Sequence, residues 1–431
     1  MTEATHNLLV IRWLTIMMFM MFAMTTDSVG VIIPQIIKEF HLSLAAASAF
    51  HYAPMSAIGI AAVLLGFLAD RIGRKRTILL GLSVFALNSY LFALGNNFAF
   101  FLCLLAISGM AIGIFKTGAL ALVGDISRST TEHTSTMNMI EGFFGVGAII
   151  GPLIVTSLIA AGVSWKWLYA IAGSICVLLI VTALMVRYPR TMKTTQEPID
   201  LRRTLLMARN PYAVAFGGGA FLYVAAESAV YVFGPVYFAE YHGSLALLAS
   251  YGVTVFFILR AAGRFVGAWI MSRLEWSGVI ALFGLAILLC FAGSVLLGVK
   301  GAVVLLPLSG LFMSVIYPTL NSKGISCFQK SEHGAVAGVI LFFTCAGAAL
   351  GPLSMGLLAD RLGDPKYGFM LAAGFAALLC VGLAYNWLRQ PTRRLLANLD
   401  AREYGVSPPD KKPSNLRGPR RAALPHDQFG R

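Results

Sequence analysis

The chain has 431 residues, 58% of them hydrophobic and only 12% charged, with a formal net charge of +14. A water-soluble domain carries about a quarter of its residues as Asp, Glu, Lys and Arg, so the composition argues against a soluble enzyme and points to a bilayer as solvent. The six cysteines lie in or at the ends of apolar runs without metal-ligand spacing, which assigns them to packing and not to disulfides or a metal.

A helix needs about 20 apolar residues to cross a hydrocarbon core. Apolar runs near 9–37, 46–69, 77–95, 98–124, 137–162, 166–187, 210–239, 246–272, 277–298, 301–323, 333–359 and 366–388 predict twelve such helices, an all-α integral membrane fold. The first run is too long for a signal-peptide core and lacks a small-residue cleavage site, so it is expected to stay. Its stretch "MTTDSVGVIIPQ", residues 24–35, places the carboxylate of Asp27 at membrane depth. The loop after the second run, "GFLADRIGRKRTILL", begins at Gly66 and carries Asp70, Arg71, Gly73, Arg74 and Lys75. Gly66 admits a close neighbouring helix, and Asp70 can accept bonds from a helix N-terminus or an Arg.

The fourth run holds Phe115 and Lys116, and the fifth Asn138 and Glu141. A polar, basic linker at 191–208 separates two halves, 1–190 and 209–390. Tyr223, Glu227 and Tyr231 lie on the seventh run; Arg260, Arg264 and Arg273 on the eighth; Tyr317, Asn321 and Lys323 on the tenth. A basic tail, 391–431, ends the chain, and anionic lipid is a plainer partner for it than nucleic acid. Lys and Arg concentrate in one set of loops, from Arg71 to Arg76, at Arg128, from Arg187 to Arg209 and at Lys330. By the positive-inside rule both termini are expected in the cytoplasm, with the protein in the plasma (inner) membrane.

The halves repeat one plan. "GAIIGPL" ends at Leu153 and "GAALGPL" at Leu353; Gly66 and Gly267, Ser108 and Ser309, and Pro34 and Pro235 correspond at nearly the same offset. Parallel six-helix repeats place a solute site at the midplane between them. The loop from Gly66 resembles the G-x-L-a-D-R-x-G-R-K signature of the major facilitator superfamily, which implies a latch between the halves. "GRFVGAWIMSRL", with Arg264 and Arg273, reads as its degraded second copy, with a latch or snorkelling role at the cytoplasmic end. "FLYVAAES", "RAAGRFVGAWIMSRL" and "MSVIYPTLNSKGI" resemble the seventh, eighth and tenth helices of the fucose–proton symporter branch, or sugar permeases. That resemblance implies Tyr223 and Glu227 facing a cavity and a symporter of sugars. The chain departs from that branch by carrying Gly30 where the branch has its first-helix carboxylate, Asp27 lying three residues earlier, and Lys116 where the branch has a Glu.

Ionisable side chains inside a membrane default to functional roles with a partner. Lys116 and Glu141 lie at similar depth, about 17–20 Å either side of one helix turn, and Glu227 and Arg260 flank another. The expectation is two ion pairs, Lys116–Glu141 and Glu227–Arg260, or pairs close enough to depress each other's protonation changes, with Asp27 left as the proton-coupling carboxylate assisted by Glu141 and Glu227. Lys116, Asn138, Glu141, Tyr223, Glu227, Arg260, Tyr317 and Asn321 are the candidate solute contacts. Phe115 and Tyr231 are further cavity candidates, while Lys323 is expected to snorkel.

The expected activity is proton-coupled uptake of a sugar or sugar-like small solute by a monomeric carrier with no cofactor but the proton gradient. Two alternatives stand beside it: proton-driven drug or metabolite export, and import of a sugar acid or organic anion clamped by Lys116 or Arg260. Against export, Leu105 replaces the expected fourth-helix Arg, and Val155 and Thr156 replace two fifth-helix glycines. No phosphate-binding loop, zinc-protease or serine-nucleophile motif supports a membrane enzyme.

Overall fold

The computed structural model describes residues 3–42, 49–189, 206–232, 234–239, 241–364 and 366–404. All but the last three residues of the expected linker, and the tail beyond 404, lie outside the described residues. Every regular element among the described residues is helical. In the first half, α1 (Glu3–Thr26) and α2 (Val29–Phe40) make one crossing. α3 (Ala49–Leu65), a short α4 (Leu68–Arg71), α5 (Arg74–Leu91), α6 (Phe98–Ile126), α7 (Thr130–Ala160) and α8 (Trp167–Met185) follow. The second half runs through α9 (Pro211–Val232), α10 (Gly234–Ala239), α11 (Ala246–Arg273) and α12 (Trp276–Leu296). It continues with α13 (Gly298–Met313), α14 (Ile316–Ser326), α15 (His333–Leu362) and α16 (Lys366–Arg389), and α17 (Arg393–Tyr404) trails it. Eleven described helices or helix pairs are long and apolar enough to span a membrane, and α3 is a shorter apolar one. Leu178, Leu289, Leu378 and Val381 point outward, fully consistent with lipid as the surrounding medium.

Helix α7 starts seven residues before the apolar run because its polar first turns are capped. Ser129 Oγ accepts the Glu132 amide at 3.1 Å, while the Glu132 carboxylate reaches back to the Arg128 amide at 2.8 Å, a reciprocal capping arrangement. The first crossing is broken where the sequence suggested continuous helix. Thr25 and Thr26 hydroxyls bond the Phe22 carbonyl at 3.0 and 3.1 Å, and Ser28 bonds Met24 at 2.6 Å. Such back-bonding competes with the helix ladder and bends it, and Asp27 sits in the resulting break between α1 and α2. The tenth crossing breaks likewise between α13 and α14, where Ser314 bonds the Leu311 carbonyl at 2.6 Å.

The repeat seen in the sequence is a packing repeat. A side chain at Gly147 or Gly151 would strike the α1 backbone at Met20 and Met24; one at Gly347 or Gly351 would strike α9 at Phe221 and Ala225. Each half thus presses its fifth crossing on its first through the same glycine pair. Gly109 against Pro54 and Gly310 against Phe256 repeat the device for the fourth crossing on the second.

Candidate transport site and gate

Two layers of polar side chains lie between the halves: one at mid-depth, the other at the end of the bundle that bears the basic loops. At mid-depth, Glu227 on α9 pairs with Arg260 on α11, as the hairpin geometry predicted. Tyr223, one turn before Glu227, donates its hydroxyl to the same carboxylate oxygen at 2.5 Å. Its ring stacks on Tyr317 of α14 with centroids 6.1 Å apart, and Asn321 donates to the Tyr317 hydroxyl at 3.2 Å. Arg260 also lies over the Phe257 ring at 4.9 Å. Five expected site residues, Tyr223, Glu227, Arg260, Tyr317 and Asn321, therefore form one connected platform in the second half.

The other expected pair is not formed. Glu141 on α7 takes Arg264 of the opposite half, with carboxylate and guanidinium 3.4 Å apart, and Arg264 also donates to the Glu141 carbonyl at 2.8 Å. Equal depth brought Lys116 and Glu141 level but did not set their directions around the helix axes. Lys116 turns instead to aromatic faces, 4.9 Å from the Phe144 centroid and 5.9 Å from Phe19. Arg264 is accordingly not an end-of-helix latch. It lies nine residues before the end of α11, about 13 Å by helical rise, and is buried against Glu141. Only Arg273 stays at that end, exposed over the Trp269 ring at 5.1 Å, and among the described residues it makes no ion pair between the halves there.

Asn138 and Phe115 also differ from expectation. Asn138 bonds back to the Thr134 carbonyl at 2.9 Å and turns its oxygen toward Gly267 on α11, so it lines the seam between halves. Phe115 is fully buried against Phe22 at 4.6 Å and serves packing. Tyr231 lies tilted against the Phe257 ring, centroids 5.8 Å apart, and stays partly exposed. Lys323 is buried over the Trp276 ring at 5.6 Å rather than extended to the surface.

Asp27 stands apart from both pairs. Its side chain is exposed, and the one hydrogen bond to its carboxylate among the described residues is from Thr26 at 3.0 Å. The positive groups that act on it are Arg260, then Lys116 and Arg264. The break in the first crossing therefore presents a carboxylate to the space between the halves, as broken helices do at solute and ion sites.

The gate layer closes the basic end. Asp70 accepts the amides of Gly334 and Ala335, both at 3.0 Å, at the N-terminus of α15 in the other half. Arg74 bonds Asp70, the Lys330 carbonyl of the other half, and Asp125 of α6 at 2.9 Å. Gly334 and Gly338 of α15 approach the Gly66 and Ala62 carbonyls so closely that no side chain would fit at either position. Gly73 takes a φ of +93°, a conformation suited to glycine, and starts α5. Lys75 staples α8 within its own half through the Leu184 and Val186 carbonyls at 3.1 and 2.8 Å, and Arg71 is exposed. Of the motif, Asp70 and Arg74 make the polar links across the halves. Burial raises the Asp70 carboxyl to about 6, opposed by Arg74 and the two amides.

Further contacts at this end had no evident signal in the sequence. His133 of α7 and His333 of α15 lie with near-parallel rings 6.4 Å apart across the seam. His133 meets Ser326 at 2.9 Å, and Thr134 meets Ser322 at 3.0 Å. Asp400, on the tail helix α17, accepts the amide and the hydroxyl of Thr130 at the start of α7, each at 3.0 Å. These links between halves all lie at mid-depth or toward the basic end, while Asp27, Gly30 and Tyr52 are exposed on the opposite side.

A sequence profile of the Major Facilitator Superfamily matches residues 14–352 and 303–424. The chain belongs to the Major Facilitator Superfamily. It is a multi-pass membrane protein of that fold. Its superfamily relatives include the L-fucose-proton symporter of Escherichia coli (strain K12), 25% identical over 400 residues, 84% of this chain and 90% of that protein. Multidrug resistance protein 2 of Bacillus subtilis (strain 168) is 23% identical over 370 residues, 83% and 90% of the two chains. The crystal structure of the superfamily transporter FucP in its outward conformation superposes with a TM-score of 0.75 at 22% identity, covering 88% of this chain and 99% of that one. These relatives are transporters, and the twelve-crossing superfamily fold is shared along nearly their whole length.

Proposed function

We propose that this chain is a proton-coupled symporter that takes up a sugar or sugar-like small solute by alternating access. The observation that carries the reading is the combination of a latched basic end with a mid-depth platform and a free carboxylate, Asp27, exposed toward the other end. The similarity to the L-fucose-proton symporter over 84% of the chain supports the solute class and the coupling ion. The basic end faces the cytoplasm in this reading, by the excess of Lys and Arg in its loops. Asp27 takes up the proton from outside. The platform of Tyr223, Glu227, Arg260, Tyr317 and Asn321 offers ring faces to C–H groups and amide and carboxylate oxygens to hydroxyls. Rocking of the halves breaks the Asp70 and Arg74 links and opens the site inward. The carrier works as a monomer without a cofactor.

Proteoliposomes with an imposed pH gradient and a panel of solutes test this. Uptake should follow the inward proton gradient, and Asp27→Asn should abolish accumulation while solute exchange at equilibrium persists. Uphill accumulation by Asp27→Asn removes the coupling role. The relationship to Multidrug resistance protein 2 favours a second reading, proton-driven export, and accumulation only against outward proton flow would establish it.

A further inference from the structure

The charges at mid-depth balance in a way that restricts what can travel with a proton. Glu227–Arg260 and Glu141–Arg264 are each neutral, with side chains at most 8% exposed. They leave two ionisable side chains at this depth without an ion-pair partner within 4 Å among the described residues: Asp27 and Lys116. About the Lys116 ammonium lie the Phe144 and Phe19 faces and the Cys345 thiol of α15, and its three N–H donors meet no hydrogen-bond acceptor among the described residues. The groups facing Asp27 are Arg260 and Arg264 from α11, Lys116 from α6, Tyr231 from α9 and its neighbour Thr26. Lys323, the next cation along α14, is turned to Trp276 and Asp400 near the basic end.

Occluding a site with net charge in low dielectric is costly, whereas a compensated pair passes cheaply. The empty site, with Asp27 ionised and Lys116 protonated, sums to zero. A proton on Asp27 alone leaves +1, and an anion alone leaves −1. A proton with a neutral sugar again leaves +1. A proton together with a monoanion returns to zero, the carboxylate taking the ammonium of Lys116 as Asp27 is discharged. Only the empty and the doubly loaded site can then change sides readily, which is the condition for obligatory symport.

We propose, building on the symport reading above, that the co-transported solute bears a single negative charge, a sugar acid or a similar hydroxylated monocarboxylate, and that Lys116 is the residue that reads it. Import is therefore electroneutral. The Lys116→Gln change shifts the arithmetic: a proton alone or a proton with a neutral sugar now sums to zero, while the empty site and the proton with a monoanion each sum to −1, so a neutral sugar crosses without obligatory coupling. Selectivity should swing from acid to parent sugar.

The test uses the full chain in proteoliposomes with the membrane potential clamped and a pH gradient imposed. The probes are matched pairs, gluconate and glucuronate against glucose, galacturonate against galactose. The expected result is gradient-driven uptake of an acid at least about 10-fold above its parent sugar, unchanged by an inside-negative potential. Lys116→Gln should lose acid uptake by about 100-fold and gain downhill flux of the neutral member without accumulation, while Lys116→Arg should recover at least a tenth of native acid uptake. Uptake of a neutral sugar that speeds up with an inside-negative potential overturns this inference and leaves proton symport standing. Equal failure of Lys116→Gln and Lys116→Arg, with both correctly folded by thermal unfolding, makes Lys116 a packing residue and also overturns it. A panel in which nothing responds to the gradient rejects symport itself, and this proposal with it.

Discussion

The gate and the mid-depth layer use the same residue types for different ends. At the basic end, Asp70 spends both carboxylate oxygens on backbone amides of the other half, and Arg74 reaches a carbonyl there. At mid-depth the carboxylates meet guanidinium groups, and Glu227–Arg260 lies wholly inside the second half. Bonds to a neighbour's backbone are lost as soon as the neighbour moves. A pair within one half rides with it unchanged. In the proposed transport cycle the gate therefore opens, and the second-half platform persists through the opening.

Breaking the persistent pair should have the largest effect. Arg260→Met leaves Glu227 buried without its cation and should cost about 3–5 kcal/mol, seen as a marked fall in thermal unfolding temperature in lipid nanodiscs. Glu227→Gln combined with Arg260→Met should recover much of that loss, because no buried charge is left stranded. If the single change is harmless, the pair is not the structural base of the platform.

Breaking the gate should alter conformation more than stability. Asp70→Asn removes charge-assisted bonds that contribute about 1.5–3 kcal/mol, favouring the state open at the basic end by roughly 10-fold or more. A cysteine placed at Ser322, which is buried in the seam against Thr134, should then alkylate correspondingly faster from that side.

The same carboxyl sharpens the contrast through pH. Its value is raised to about 6 in the latched state by burial, from an ordinary 3.8. On unlatching it meets water and falls back toward 3.8, so the latched state binds more protons. The protonation-linked part of Asp70's contribution to closure is thus fully present below about 4 and lost as pH rises through about 6, above which only its direct bonds to Arg74 and the two amides remain. Arg74, Lys330 and His333 share this space, so the quantity to measure is the difference between native and Asp70→Asn alkylation profiles at Ser322→Cys. A flat difference between pH 4 and 7 contradicts the raised value.

The smallest effect belongs to the tail. Asp400→Asn weakens a carboxylate at the N-terminus of α7, a contribution of about 0.3–1 kcal/mol, and should speed the same alkylation about two- to five-fold. Deletion of α17 should match it. No change in either would confine α17 to a packing role.

Several parts of this arrangement were legible in the chain before folding. The glycine pairs of "GAIIGPL" and "GAALGPL" marked equivalent close approaches, and the motif from Gly66 marked the latch. Glu227–Arg260 followed from depth along a hairpin. Depth failed for Lys116 and Glu141, because rotation about each helix axis decides the partner and a hairpin does not constrain it. Arg264 was hidden by its nearness in sequence to the helix end, since nothing local distinguishes a snorkelling Arg from one turned inward. Asp400 and the two histidines were invisible for another reason: their partners lie in the other half, and no periodicity links them.

What the sequence determined alone was the medium, the number of crossings, the two-fold repeat and the depth of most of the charges, Arg264 excepted. Those properties depend on residues counted along one axis, in apolar runs and at 1.5 Å of rise per helical residue. Which charges neutralise one another, which remain free to meet a proton or a solute, and which end of the bundle is closed were decided only by tertiary structure. Such questions turn on azimuth and on contacts between distant segments, and a linear order of residues carries neither.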